Sequence, residues 1–498
     1  MCGRSFLVGL GRYRALALVV LGFLGGCAQL AGIDETSAGD GSQPGKVSLT
    51  FERVSVGATV VKGPLDLSGN EANYLVPDAI LGFVRVPATV AAPGTWSASI
   101  MDGTPAVQFD LPEDAVPQQR IFALPSRDLL ASFVSLEHPD RAPAPAGATI
   151  TVNVALDVPY AGNETLQLFT VGSWNARNLD APPLGAGMVA PPAFAFTSMA
   201  STTGRPHEQL TTADAVLVLK LIGNQLVGAL DVPPFEQTGM DTITGTITAV
   251  PRTEMLNVSV DQAAVASRYS AARPAGAATP AMSWSLRAAP GADYAVDNGP
   301  LLHAAAVTAA EPGTITAAYG NPFTAKGWAT LLTWSTSATR TYTPPALALP
   351  VTLRAQMFQR ALPAAGLVLD LPAGLPELIT MNGMSLSTDG LTISTQGRPV
   401  EISFLTDRMA NTMYVVEVLE LVPNPAGTAL VLTRVMSATG VAPQFTVPGE
   451  VFVTGKHYTV RAMTVQGGFP NIATGDMQTR SLPIAQALLD SGVFQVGP

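Results

Sequence analysis

Lys46-Val47-Ser48-Leu49-Thr50-Phe51 is the stretch on which the fold turns. Val47, Leu49 and Phe51 alternate with Ser48 and Thr50, and because successive strand side chains point to opposite faces, this period of two predicts a half-buried β-strand. The same texture continues outward. Short apolar runs at 58–61, 79–86, 96–101, 121–124 and 129–136 fill the N-terminal stretch, and a Pro- and Ala-rich segment at 139–147 marks a boundary after it. Runs at 150–156, 166–171, 215–221, 226–230, 242–250, 328–336 and 346–357 carry the pattern through the centre, with Gly223-Asn224-Gln225 supplying hairpin turn chemistry. An Ala, Pro and Gly stretch at 271–281 reads as a long loop or an internal boundary, and no repeat of constant period emerges. The expectation is an all-β chain of several β-sandwich modules: an N-terminal sandwich domain at 47–145, a central β-rich region of one or two modules at 146–385, and a further sandwich at 386–498.

Composition narrows the class. With 498 residues the chain exceeds one core, and domains of roughly 100–200 residues imply about three folded units. Only 13% of residues are charged and 47% are hydrophobic, which excludes a disordered acidic polymer, while the 46 Gly and 41 Pro lack the period of collagen. The net charge is −10, and residues 1–26 contain Arg4, Arg12 and Arg14 but no acid, so their removal leaves −13. No basic run occurs beyond them. Polyanions are held by clustered Lys and Arg, so nucleic acid is excluded as a partner.

The N-terminus has three parts: a basic region with Arg4, Arg12 and Arg14, about ten apolar residues at 15–24, and small residues before Cys27. A membrane-spanning helix needs roughly 20 apolar residues, so the apolar part is short for a permanent anchor. Leu24-Gly25-Gly26-Cys27 resembles the lipobox of bacterial lipoproteins. That resemblance implies a signal peptide at 1–26 and Cys27 as the mature, acylated N-terminus, a membrane anchor with the two or more chains that stable attachment requires. Apart from Cys2 in the leader, Cys27 is the chain's other cysteine, so the mature chain can form no internal disulfide. Ala28 and Gln29 follow it where no Asp stands, which in such lipoproteins implies the outer membrane. The Gly-, Ser- and Ala-rich residues that follow make 27–46 a lipidated cysteine and flexible tether.

From 386 to 498 the chain resembles a fibronectin type III domain. Tyr414-Val415-Val416-Glu417-Val418 is similar to that family's third strand, and Phe452-Val453-Thr454-Gly455-Lys456-His457-Tyr458-Thr459-Val460-Arg461 to its turn into the sixth, with Phe404 in the place of a usual tryptophan and Thr454 of a usual proline. The resemblance implies an immunoglobulin or fibronectin III-like sandwich in which the Tyr458 ring is buried and its hydroxyl bonds to nearby backbone. It implies a fold and no reaction.

Motifs for chemistry are sparse. His138, His207, His303 and His457 stand alone, none at metal-ligand spacing, and His207-Glu208 begins like a metalloprotease helix but has Thr211 where the second histidine belongs. Gly41-Ser42-Gln43-Pro44-Gly45 lacks the glycine of a nucleophile elbow. Asp66-Leu67-Ser68-Gly69-Asn70-Glu71 carries oxygen ligands near a glycine, yet reads better as a polar turn than as a calcium loop. Trp328 and Trp334, six apart, would share one face of an unbroken strand, either as a platform for sugar rings or, preferably, as core beside Leu332. No catalytic residue, cofactor or metal is nominated. The expected function is a non-enzymatic envelope lipoprotein, held to membrane lipid through acylated Cys27, whose body serves a structural or binding role toward protein or polysaccharide. The alternative is an anchored polysaccharide hydrolase with catalytic carboxylates in the central region.

Overall fold

Alternation dictates where the strands lie. In a computed structural model, which describes residues 45–498 apart from 67–70, 79–81, 101–105, 111–118, 124–125, 137, 139–140, 202–206, 261–280, 308–312, 365–366, 370–373 and 407–411, the opening stretch lies in the strand Gly45–Val56, with Val47, Leu49 and Phe51 buried. The chain is all-β. The helical pieces among the described residues are three-residue 3₁₀ turns.

Sheets pack face to face as sandwiches. Gly45–Val56 pairs in parallel with Asp128–Ser135 and antiparallel with Thr95–Ile100, and this sheet covers a second one of Ala72–Asp78, Gly82–Pro87, Ala106–Asp110 and Gln119–Ala123. Phe51, Trp96, Tyr74 and Phe122 fill the space between them. Next, Thr149–Leu156 pairs in parallel with Met240–Ala249, opposite Glu164–Val171, Ala215–Ile222 and Gln225–Val232. Ile150, Val152, Leu166, Leu168, Val218 and Ile243 make that core. A third pair of layers sets Glu254–Val260 and Gly313–Tyr319 against Ala281–Ala289, Leu301–Val307 and Ala329–Tyr342.

In the C-terminal stretch Glu377–Met381, Val400–Leu405 and Gln444–Val447 form one sheet. The facing sheet runs Leu430–Gly440, Thr412–Pro423, His457–Gly467 and Ile484–Asp490. Both lateral strands of this second sheet are paired onward. Leu430–Gly440 takes Gln119–Ala123 in parallel, and Ile484–Asp490 takes Val351–Ala361, which continues to Ala329–Tyr342 and Ala281–Ala289. The sandwiches therefore share one continuous ribbon of sheet, in which both lateral edges of the C-terminal sheet are covered by other strands of the same chain.

Most runs read from the sequence fall on strands, while the run at 58–61 is shifted to Val60–Pro64. The run expected from residue 346 begins at Val351 instead: Pro344, Pro345 and Pro350 cannot donate to a ladder, and the intervening residues form a turn in which the Leu347 and Ala348 N–H groups donate to Pro344 O. The strands Ala72–Asp78, Ala106–Asp110, Glu254–Val260, Ala281–Ala289, Leu301–Val307 and Gly313–Tyr319 lie outside the runs read from the sequence. Pro77, which has no N–H to donate, stands beyond the end of the Ala106–Asp110 pairing at Leu75 and opposite Phe83 of Gly82–Pro87. The loop reading at 271–281 lies almost wholly outside the described residues.

Candidate functional site

Cys27 and residues 27–44 of the expected 27–46 tether lie outside the described residues, as does most of the Asp66–Glu71 turn, whereas Gly45 and Lys46, also expected in the tether, open the strand Gly45–Val56. The histidines are not brought together. His138 closes over Gly57 and its backbone N–H donates to Glu208 Oε1 at 3.2 Å, while His207 bonds Met199 O through Nε2 and packs edge-on against Phe196. His303 lies edge-on to Trp284 with ring centroids 5.0 Å apart, and burial, aided by Arg252, holds its imidazole below the ordinary range. Among the described residues no cluster of three or more His, Cys, Asp or Glu could hold a metal ion.

The tryptophan platform is not present. Trp328 precedes the strand Ala329–Tyr342 rather than sharing it, and its indole N–H donates to Ala58 O at 2.9 Å. Trp334 and Leu332 are wholly buried, so these rings fill the core. Several deeply buried carboxylates are likewise committed. Asp214 accepts from Arg141 at 2.7 and 2.8 Å, Glu164 pairs with Lys220 at 3.3 Å, and Asp490 pairs with Arg461 at 2.6 Å. A buried carboxylate without a cation would cost several kcal/mol or take up a proton, which explains the pairing.

What the fold does assemble is a groove on the outer face of the ribbon. Ser283 and Ser285 pair across strands with Ala306 and Ala304 on one side, and with Ser335 and Thr333 on the other. The residues between them, Trp284 and Trp334, point to the opposite face and enter the core. Six small side chains on three adjacent strands thus leave a trough of about 470 Å³. Its rim carries Arg287, Asp297, Asn298 and Asn224. Arg287 is fixed by donating to Gly299 O at 2.8 Å, and Asp297 is held by Arg360 at 3.3 Å. The volume lies within the roughly 300–1,000 Å³ of small-ligand sites, but the lining is polar where such sites are usually apolar. Thr333 is 8% exposed, and its Oγ1 has no hydrogen-bond partner.

The groove was not anticipated from the sequence. Its signal is nevertheless there: Ser283-Trp284-Ser285 and Thr333-Trp334-Ser335 both read as a tryptophan turned inward between hydroxyls turned outward. Nothing in the spacing says that the two tripeptides pair directly, Trp284 opposite Trp334.

Among the described residues no helix is long and apolar enough to cross a membrane. No protein-family model matches the chain, and no curated protein matches it. Solved structures similar to it include a tetra-tandem repeat in the extending region of a large adhesion protein, at 13% identity over 89% of this chain and 99% of that one, with a TM-score of 0.11. A putative cell adhesion protein from Parabacteroides distasonis is similar at 10% identity over 60% of this chain and 100% of its own, TM-score 0.15. Salmonella alpha-2-macroglobulin follows at 11% identity over 91% of this chain and 29% of its own, TM-score 0.11, and likenesses this slight carry no argument about ligand or partner.

Proposed function

We propose that the chain is a bacterial envelope lipoprotein, anchored in the outer membrane through acylated Cys27, whose β-sandwich body is a non-enzymatic structural or binding module for protein or polysaccharide. The observation that carries this reading is Leu24-Gly25-Gly26-Cys27 at the end of a basic-then-apolar leader, in a chain with no cysteine after it. The body supports it in two ways. Eighteen residues, 27–44, precede the first described strand, enough to span up to about 60 Å if extended. In the trough, Asp297 is the one carboxylate among the described lining residues and is paired with Arg360, whereas glycoside hydrolysis uses two carboxyl groups about 5–9 Å apart, so the hydrolase reading draws no support there.

The C-terminal sandwich is of the fibronectin type III kind in this reading. Its support is the division of strands between the two sheets, with Glu377–Met381, Val400–Leu405, Gln444–Val447 and the two-residue Met384–Ser385 facing the four of the second, and Tyr458, whose buried ring carries a hydroxyl that accepts from Val453 N–H and donates to Val451 O.

The test is the mass of the N-terminal peptide of the mature protein made in a lipoprotein-processing host, native chain against Cys27→Ala. An N-terminal acylated Cys27 and a membrane-bound body, both lost in the variant, are expected. A native chain with its leader attached and an unmodified Cys27 would remove the anchor.

A further inference from the structure

We infer that the trough over Ala281–Ala289, Leu301–Val307 and Ala329–Tyr342 is a binding site for a neutral, hydroxyl-rich ligand, a segment of an uncharged oligosaccharide. The inference rests on reading the body as a binding module and gives that module a place and a ligand class.

Shape comes first. Side chains on the outer face of a sheet ordinarily stand up from it, and here Ala304, Ala306, Ser283, Ser285, Thr333 and Ser335 are all too short to do so. Larger neighbours rise at the margin: on the next strand Phe358 and Arg360 follow Ser335 and Thr333 in register, with the Arg360 guanidinium 4.3 Å from the Phe358 ring centre. Chemistry comes second. The described lining residues with ionic charge are Arg287 and Asp297; Arg360 at the margin is bound to Asp297 and Arg287 to Gly299 O, so at most one positive charge stands beside a lining that is otherwise hydroxyl, amide and methyl. Hydroxyls, amides and a fixed guanidinium and carboxylate offer donors and acceptors in alternation, which matches a ligand whose own surface is hydroxyl groups. The third observation is independent of shape. Thr333 is more than nine-tenths buried on the trough side of its strand with an unpartnered Oγ1, and buried polar groups are normally satisfied by protein, water or ligand. Turned toward the trough about its Cα–Cβ bond, that hydroxyl would find its partner in a ligand hydroxyl.

The experiment is calorimetric titration of the full chain carrying Cys27→Ala with six-unit neutral glucans (β-1,4 and α-1,4) and β-1,4-linked N-acetylglucosamine, against an anionic galacturonate oligomer and inorganic phosphate. At least one neutral oligomer is expected to bind. Thr333→Val keeps the volume and removes the hydroxyl, so binding weakens about tenfold, one good hydrogen bond, while Tm holds or rises because no native bond is lost. Ser335→Trp fills the trough and abolishes binding. Preference for phosphate or galacturonate overturns the ligand class. Neutral binding unchanged in both variants overturns the trough while leaving the body a binder, and failure of every probe to bind overturns the trough and its ligand class while leaving the body a structural or protein-binding role; the mass of the Cys27 peptide tests the anchor separately.

Discussion

Tyr458 shows how far a single side chain can be read. Its ring has no exposed surface and packs edge-on against Phe452. Burial raises the phenol above its ordinary value, with the Val453 N–H pulling the other way, so the hydroxyl stays protonated and keeps its role as donor to Val451 O. Tyr458→Phe retains the ring and loses both backbone bonds. It should cost about 1–2 kcal/mol, read as a lower denaturant midpoint with an unchanged slope, and a variant as stable as the parent would show that the corner holds nothing. The residue was legible because its partners, Val451 and Val453, are sequence neighbours. Trp174 was not. Its backbone is left-handed at φ 53° and its indole N–H donates to Val56 O at 3.0 Å, a partner 118 residues away that no local pattern discloses. The same holds for Gly172, φ 122°, where an added Cβ would fall 1.7 Å from Asp214 Oδ1. Thr333 and Ser283 were hidden for a further reason: a lone hydroxyl on a strand is unremarkable until its neighbours across the sheet are known.

Strands were legible where alternation was unbroken, as in Val351–Ala361, whose odd-numbered residues are all buried. Their pairing was not, because a period of two says which face is inward and nothing about which strand lies alongside. The parallel seam between Gln119–Ala123 and Leu430–Gly440 is the clearest case, joining strands more than 300 residues apart. Gly440 is what lets it close. An ideal Cβ there would sit 2.8 Å from Ala123 O and 3.1 Å from Phe445 Cε1, backbone on one side and a buried ring on the other. Gly440→Ala should therefore cost about 1–3 kcal/mol and speed amide exchange selectively in 119–123. Gly187→Ala is the control, since nothing lies within 4 Å of its added carbon, and it should stay within about 0.5 kcal/mol of the parent. Equal effects at the two positions would mean that the seam is not close-packed at Gly440. Further along the ribbon, charges replace close contact: Arg434, Glu417, Arg461 and Asp490 form an ion-pair ladder across four strands, and Asp490 accepts from the Arg354 N–H on a fifth.

Across the whole molecule, the largest core takes side chains from every part of the described chain, Val54 and Val56 near its start, Trp174 and Trp334 in the middle, Tyr458 and Phe494 near its end. The ends are also joined directly. Asp476–Met477 pairs in parallel with Leu130 and Ala131, and Gln478 Nε2 donates to Ala131 O at 3.2 Å and Thr50 O at 3.5 Å. The Asp476 carboxylate holds that turn by accepting from Thr479 Oγ1 at 2.6 Å, Gln478 N–H at 2.8 Å and Thr479 N–H at 3.0 Å. Burial works against its charge, but these donors and Asn471 outweigh it and hold the carboxyl below its ordinary value. A depressed folded pKa means that the stabilisation is complete above the unfolded value of about 3.9 and is lost as pH falls through the folded one. Acid should therefore loosen the junction of the two ends below about pH 4, seen as faster amide exchange at Thr50 and Leu130. In Asp476→Asn, which cannot titrate, that part of the pH dependence should vanish and exchange at both residues should already be faster at pH 7. If the ribbon acts as one body, the loosening should lower the Tm of a single calorimetric transition. Separate transitions, with acid shifting only one of them, would mean that the sandwiches unfold independently and that the strand pairings between them contribute little.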